Sequence, residues 1–188
     1  VSKTDKDRLR AEALSRRDAL PLSDRAAFSQ AIAQQVPTFI TALGAGPIGG
    51  FWPIRSEIDP RPAMALLTHR GLQTALPVVT DEGLVFRLWQ EGDALASGSF
   101  GLKEPFETAH AVNPTGLLVP LAAFDRRGHR IGYGAGYYDR AIARLTASGR
   151  VLTIGVAFSV QEIDRVPDEP HDRALDVIIT EKETIRLS

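Results

Sequence analysis

Short apolar runs alternate along the chain with stretches of good helix formers, and this alternation predicts the elements. Residues from about Lys3 to Ala19 contain no Pro or Gly and predict a helix. A second helix is predicted from about Asp24 to Gln35. Ser23 is placed to cap it, its hydroxyl accepting from an unpaired backbone N–H, and Pro37 to end it. Pro47 to Trp52 reads as a short buried strand. The loop RSEIDPRP follows, then a helix from about Pro62 to Arg70, which Gly71 stops by tolerating a left-handed backbone.

Thr74 to Val79 and Leu84 to Trp89 read as two strands joined through Asp81-Glu82-Gly83, a hairpin turn. Glu91 to Pro114 reads as irregular. Gly116 to Val119 is a compact apolar strand that leads through a glycine-rich loop into a helix from about Tyr137 to Ala147. Val151 to Ala157 and Leu175 to Thr180 are two further strands. Strands alternating with helices imply an α/β protein with a largely parallel sheet and helices on both faces. No stretch looks like a linker, so residues 1–188 read as one domain, without repeats or low-complexity tracts.

Composition narrows the function classes. The 44% apolar content suits a globular core rather than disorder. A net charge of -1 provides no general field for nucleic acid or an anionic membrane, so any anion site must be local. The absence of cysteine excludes disulfides, thiolate chemistry and cysteine-zinc sites. His69, His110, His129 and His171 show no metal-ligand spacing. The N-terminal segment is charged, and no apolar run approaches the roughly 18 residues of a membrane span. A cytoplasmic protein is expected.

The most informative stretch is VPLAAFDRRGHRIGYGAGYYDR, Val119 to Arg140. An apolar strand ends, glycines recur at 128, 132, 134 and 136, and a helix begins. Glycines let backbone N–H groups converge, and a helix start adds its positive dipole end. Arg130 and Arg140 add full charge. These parts suit phosphate. The loop is neither a Walker motif nor a dinucleotide fingerprint, whose sixth position is here Tyr137. The residues alone leave open a glycine-rich connection with no ligand.

Other residues also carry two readings. Lys6, Arg10 and Arg17 share one helix face, which by itself is a solvated basic face. Trp52 reads as core and Glu57 as a loop acid near Asp59. Phe100 reads as a loop anchor. Asp139 reads as a first-turn acid at a helix N-terminus, and Asp172 as a loop acid paired with Arg173.

RIGYGAGYYDR closely resembles the signature of the 5-formyltetrahydrofolate cyclo-ligases, also called 5,10-methenyltetrahydrofolate synthetases. KDRLRAEALSRRDAL resembles the family's basic N-terminal helix, FWPIRSEIDPRP its strand-loop with a substrate glutamate, and SFGLKEP its substrate-facing loop. IGVAFSVQEIDRVPDEPHDRALDVIITE resembles its C-terminal block. Five blocks in the right order cover nearly the whole chain. Tyr133 stands where many members carry arginine, and Ala135 where many carry glycine or lysine. The first departure removes one possible phosphate charge.

The resemblance implies an α/β sandwich of the sugar-phosphate isomerase and CoA-transferase-like group. It implies an enzyme that uses ATP and Mg²⁺ to turn 5-formyltetrahydrofolate into 5,10-methenyltetrahydrofolate, ADP and phosphate. Lys6 and Arg10 match contacts to ATP phosphates, with Arg17 solvated or a more distant contact. Arg130, Gly132, Gly134, Gly136, Tyr137 and Tyr138 are expected around the nucleotide, Arg130 and Tyr137 acting in the chemistry. Trp52, Glu57 and Phe100 are expected on the folate, with Tyr133, Gly134, Ala135, Gly136 and Tyr137 as the wall facing it. Asp139 and Asp172 are the expected metal ligands. The expected partners are small molecules, with no nucleic acid and no membrane, and a monomer is expected. A folate- and ATP-binding regulatory protein that does not turn over is the alternative. A sugar-phosphate isomerase-like enzyme rests on fold analogy alone.

Overall fold

The apolar runs assemble into one eight-stranded sheet in a computed structural model of the chain, which describes residues 3–40, 46–98, 101–169 and 172–187. The elements are α1 (Lys3–Asp18), α2 (Leu22–Ile40), β1 (Ile48–Gly49), α3 (Arg61–His69), β2 (Thr74–Thr80), β3 (Gly83–Leu88), β4 (Leu95–Ser97) and β5 (Lys103–Pro105). They continue with β6 (Ala111–Val112), β7 (Gly116–Val119), β8 (Ala123–Phe124), β9 (Arg130–Ile131), α4 (Tyr137–Ala147), β10 (Leu152–Val156), β11 (Val177–Ile179) and β12 (Thr184–Arg186).

The strand order is β12-β11-β10-β7-β1-β2-β3-β6. The central strands β2, β1, β7, β10 and β11 pair in parallel. Antiparallel strands complete the sheet, β3 and β6 at one edge and β12 at the other. Because side chains alternate along a strand, the central strands bury both faces. Leu118 of β7 packs with Ile32 of α2 and Met64 of α3, whereas Leu117 and Val119 pack with Ile142 and Leu145 of α4. Helices therefore cover both faces, as expected. Each large apolar side chain so buried stabilises the fold by about 1.5–3 kcal/mol.

Helix α1 lies apart from these two layers. Its Ala13 packs with Ala123, Ile131 and Val166, so it crosses the segment that carries the glycine loop. No helix among the described residues is long and apolar enough to cross a membrane.

Several expected boundaries change. Helix α2 starts at Leu22, with the Arg25 N–H donating to the Pro21 carbonyl at 3.0 Å, so Ser23 sits inside the first turn rather than at the cap. Pro37 does not end α2, which continues to Ile40 with Val36, Pro37 and Ile40 buried. Apolar packing of that last turn outweighs the N–H that proline lacks. The stretch expected to be irregular, 91–114, contains β4, β5 and β6. Within the glycine-rich segment, β8 and β9 form a small antiparallel pair. Strand β12 is a further element that the apolar pattern did not indicate.

Candidate functional site

The glycine-rich segment is shaped by a buried carboxylate. Asp125, 1% exposed, follows β8 and opens a turn closed by the Gly128 N–H on its carbonyl. Its side chain accepts the backbone N–H groups of Arg127, His129 and Val166 at 2.9, 3.2 and 2.9 Å, and the Arg127 guanidinium at 2.7 Å. The β8–β9 hairpin is thereby tied to the segment that runs on toward Asp172. Arg127 also reaches Asp168 at 2.7 Å, which holds that half-buried carboxyl below the usual carboxylate range. After β9 the chain enters α4 through Gly136, whose φ of 65° is left-handed. A side chain there would be strained and would meet the Arg140 guanidinium at 3.2 Å.

Helix α1 faces this loop. A cleft of about 350 Å³ opens between them, lined by Lys6, Arg10, Arg130, Gly132, Gly134, Gly136, Asp139 and Asp172 among others. Arg10 donates from Nε to the Gly132 carbonyl at 2.7 Å and also bonds Asp7. Lys6 meets Asp172 at 3.1 Å. Arg130 bonds Asp139 and donates to the Arg173 carbonyl at 3.4 Å. Its guanidinium side chain is 5% exposed, against 63% for Asp139. Three cations and two carboxylates from four segments thus converge, an arrangement that suits a polyanion carrying a cation.

The expected site residues divide between this cleft and its surroundings. Asp172 pairs with Lys6, while Arg173 turns to the Thr146 hydroxyl at 3.0 Å. Asp139 lies in the first turn of α4, so its helix position and its place in the cleft coexist. Tyr137 lines a neighbouring, more open cleft with Thr80, Asp81 and Glu82 of the β2–β3 hairpin, and Arg140 stacks over its ring at 5.1 Å. Arg140 also donates to the Ala135 carbonyl at 2.9 Å, so its charge turns away from the main cleft. Tyr138 packs against the α4 side of the core with a buried hydroxyl that has no hydrogen-bond partner among the described residues. Burial, and then the charge of Glu57, push that hydroxyl's pKa up. Phe100 lies outside the described residues.

A second polar cluster forms at the other end of α1. Arg17, expected to be solvated or a distant contact, is 2% exposed. It donates to the Ser56 hydroxyl at 2.9 Å and to the Tyr133 hydroxyl at 2.5 Å. Tyr133 also lies close to Glu57. Glu57 accepts the Ile54 N–H at 2.8 Å. Burial pushes its carboxyl above the usual range, against the nearby Tyr133 hydroxyl, the Ile54 hydrogen bond and the charges of Arg17 and Arg55. Arg55 holds a φ of 53°, left-handed for a non-glycine residue. Trp52 stands nearby in sequence, edge-on to Trp89 with centroids 6.0 Å apart and with Arg61 over its own ring at 4.6 Å.

Asp7, His129 and Glu169 line the cleft without having been expected there. Asp7 was legible as an i, i+3 partner of Arg10, and Asp125 as the first residue of an Asp-x-x-Gly turn. The burial of Arg17 has no signature in its local sequence.

Residues 2–181 match the model of the 5-formyltetrahydrofolate cyclo-ligase family. The chain is 28% identical to the 5-formyltetrahydrofolate cyclo-ligase of Mycolicibacterium smegmatis, covering 98% of each protein. It is 27% identical to the enzyme of that name from Escherichia coli K12, over 88% of this chain and 94% of the relative. Among solved structures, the 5,10-methenyltetrahydrofolate synthetase of Aquifex aeolicus superposes with a TM-score of 0.83 at 30% identity, over 97% of this chain and 92% of the other. That of Mycoplasma pneumoniae gives 0.74 at 26% identity, over 94% and 99%.

Proposed function

The chain belongs to the 5-formyltetrahydrofolate cyclo-ligase family, and we propose that it binds the ATP phosphates in the cleft between α1 and the glycine loop and the folate against Glu57. The reaction is the ATP-dependent conversion of 5-formyltetrahydrofolate to 5,10-methenyltetrahydrofolate. The observation that carries this placement is the convergence of Lys6, Arg10 and Arg130 on one cleft that also holds Asp139 and Asp172. A triphosphate needs such a set of charge-assisted donors.

In this reading the terminal phosphoryl group of ATP passes to the formyl oxygen and ADP leaves. The neighbouring folate nitrogen then attacks the activated formyl carbon, the ring closes, and phosphate departs carrying the proton that this nitrogen gives up. Lys6, Arg10 and Arg130 hold the phosphates, and Arg130 offsets the charge spread over the transferring group. The 132–136 backbone forms the wall between phosphate and formyl group, with Tyr137 and Tyr138 behind it. Glu57 accepts the adjacent N–H donors of the pterin edge, and Trp52 borders the ring. No protein nucleophile is required, because the protein's share is positioning and charge neutralisation.

Asp139 and Asp172 fit a magnesium ion that arrives with ATP. Both are hard oxygen donors in the same cleft, and the cations now bonded to them, Arg130 and Lys6, are those a triphosphate would engage. Magnesium would supply charge neutralisation across the phosphates. A cytoplasmic monomer acting on small molecules, without nucleic acid or membrane, belongs to the same reading.

The test is incubation with 5-formyltetrahydrofolate and Mg-ATP while following the absorbance of the methenyl product. Product formation is expected. Absence of product with both ligands still bound would favour a regulatory protein, and absence of binding would overturn the placement.

A further inference from the structure

Arg17 joins three segments with one guanidinium. From α1 its Nε donates to the Ser56 hydroxyl at 2.9 Å and its Nη1 to the Tyr133 hydroxyl at 2.5 Å, with the guanidinium 5.9 Å from the centre of the Tyr133 ring. Ser56 belongs to the turn that carries Glu57. That turn is closed on itself, since the Glu57 N–H donates to the Ile54 carbonyl at 3.1 Å and the Ile54 N–H to the Glu57 carboxylate at 2.8 Å. A hold on Ser56 is therefore a hold on the whole turn. Tyr133 belongs to the glycine loop, whose preceding residue, Gly132, is held by Arg10. Arg10 and Arg17 lie about 10 Å apart along a helix that rises 1.5 Å per residue, so one rigid helix grips consecutive loop residues and the Glu57 turn at once.

Fold stability does not account for this arrangement. Arg17 is 2% exposed, and its hydrogen-bond partners are neutral hydroxyls. Its carboxylate neighbour Asp18 lies at 3.9 Å, with a largely exposed side chain that the Ser56 hydroxyl engages. A guanidinium withdrawn from water without a close counter-charge carries a desolvation penalty that two neutral hydroxyls offset only in part. An apolar side chain of similar length would fill the same space without that penalty. What only the guanidinium supplies is a planar fork with donors at fixed angles, which sets the spacing between the two hydroxyls it reaches.

The geometry points to Arg17 as a positioning residue that fixes the distance between the Glu57 turn and the glycine loop, and so the distance between formyl oxygen and terminal phosphate. This rests on the placement of folate against Glu57 and of phosphate beside the glycine loop. Arg17 itself touches neither ligand. Its two arms act in series: the spacing is fixed only while both hold, and losing one releases it as fully as losing both. Phosphoryl transfer is sensitive to such spacing, because the reacting atoms must approach to about 3–3.5 Å and a misplacement of about 1 Å can lower the rate about 100-fold. Each ligand bound alone needs only its own loop. Loss of Arg17 therefore lowers turnover and leaves affinity in place.

The test compares Arg17→Met, Ser56→Ala, Tyr133→Phe and the Ser56→Ala/Tyr133→Phe double variant by methenyl product formation, calorimetric titration of each ligand separately, and denaturant unfolding. Arg17→Met should lower kcat about 10- to 100-fold, with the dissociation constants of 5-formyltetrahydrofolate and of Mg-ATP each within about threefold of the parent. Its denaturant midpoint should equal or exceed the parent's, because an apolar side chain replaces a buried cation. Ser56→Ala and Tyr133→Phe should each lower kcat nearly as far as Arg17→Met, and the double variant no further, since the arms act in series. Tyr133→Phe keeps the ring and removes one oxygen, so it supplies the readout if Arg17→Met does not fold. Unchanged kcat in Tyr133→Phe would overturn the role, as would losses that multiply in the double variant, or a fall in turnover that follows a fall in stability. Affinity lost for one ligand alone would overturn it too, since the altered residue would then act within one subsite. If Glu57→Gln leaves folate affinity unchanged, the placement of folate fails and this role fails with it.

Discussion

Arg10 and Gly132 lie 122 residues apart in the chain, and the Arg10 Nε–H donates to the Gly132 carbonyl at 2.7 Å. That bond seats the glycine loop on α1 and places the guanidinium at the cleft between them. Arg10→Gln shortens the side chain and removes the fork, so the loop should open locally. Amide hydrogen exchange of residues 132–136 should rise, with little change in α2, α3 or the central strands. Exchange unchanged in the loop would show that the bond does not hold it.

Arg130→Ala should weaken Mg-ATP binding by about 1.5–3 kcal/mol, the range for a charge-assisted contact to phosphate. Folate affinity should change far less, because Glu57 belongs to another segment. Arg130 is almost fully covered and bonds Asp139, so part of any loss could be structural. Arg130→Lys separates the two effects: it keeps the charge but not the fork, and should recover part of the ATP affinity. An unchanged Michaelis constant for ATP with unchanged turnover rejects the role.

Asp139→Asn should leave the fold intact and raise the magnesium concentration needed for half-maximal rate. Asparagine preserves size and one acceptor but not the charge that magnesium favours. The side chain is largely exposed, so stability should move by no more than about 0.5 kcal/mol. Activity matching the parent at limiting magnesium would leave Asp139 as a helix-start acid.

Glu57→Gln should lower folate affinity by about 2–4 kcal/mol, since a charged acceptor is lost and an amide donor faces a pterin donor. The pH behaviour has two opposed signs. Burial raises the folded-state pKa of Glu57 above its ordinary value. Its contribution to stability is therefore fully present at low pH and is lost as pH rises through that raised value. Folate binding needs the ionised form and goes the other way, failing as pH falls through the same value. Relative to Glu57→Gln, the parent should thus gain stability and lose its affinity advantage on acidification. Urea unfolding and calorimetric titration across pH 4–8 check both halves, and parallel curves for the two proteins would reject them.

Asp125→Ala should destabilise the fold by about 3 kcal/mol or more, because three backbone N–H groups lose their acceptor and the Arg127 guanidinium loses one of its own. Denaturant unfolding measures this. Asp125→Asn should recover part of the loss by keeping one acceptor oxygen. A midpoint equal to that of the parent for the alanine variant would mean that water replaces the carboxylate without penalty.

The helix expected from about Tyr137 to Ala147 was legible, because the glycine run ends there and a stretch without Gly or Pro follows, and the structure adds a left-handed Gly136 at its start. The hairpin through Asp81-Glu82-Gly83 was equally legible from its turn chemistry. Lys6, Arg10, Arg130, Asp139 and Asp172, which line one cleft, were each named from contiguous sequence blocks, whereas Tyr137 lies in a neighbouring cleft. Pro37 was misleading. Its local preference ends a helix, while the burial of Val36 and Ile40, which carries it onward, depends on a sheet formed by distant segments. Strands β4, β5 and β6 were hidden because each is only two or three residues long and gains its identity from its partner.

Local sequence determined the α/β alternation and the glycine loop, since these depend on backbone preferences and spacing along one segment. Only the tertiary structure decided which charges meet. Lys6 pairs with Asp172 rather than Arg173 doing so, and Arg17 leaves the solvated face of α1 to lie buried between Ser56 and Tyr133. The physical reason is that a helix face has no intrinsic burial. Whether a guanidinium on it is solvated or enclosed depends on what the rest of the chain packs against that face, and for Arg17 that is a loop more than one hundred residues away in sequence.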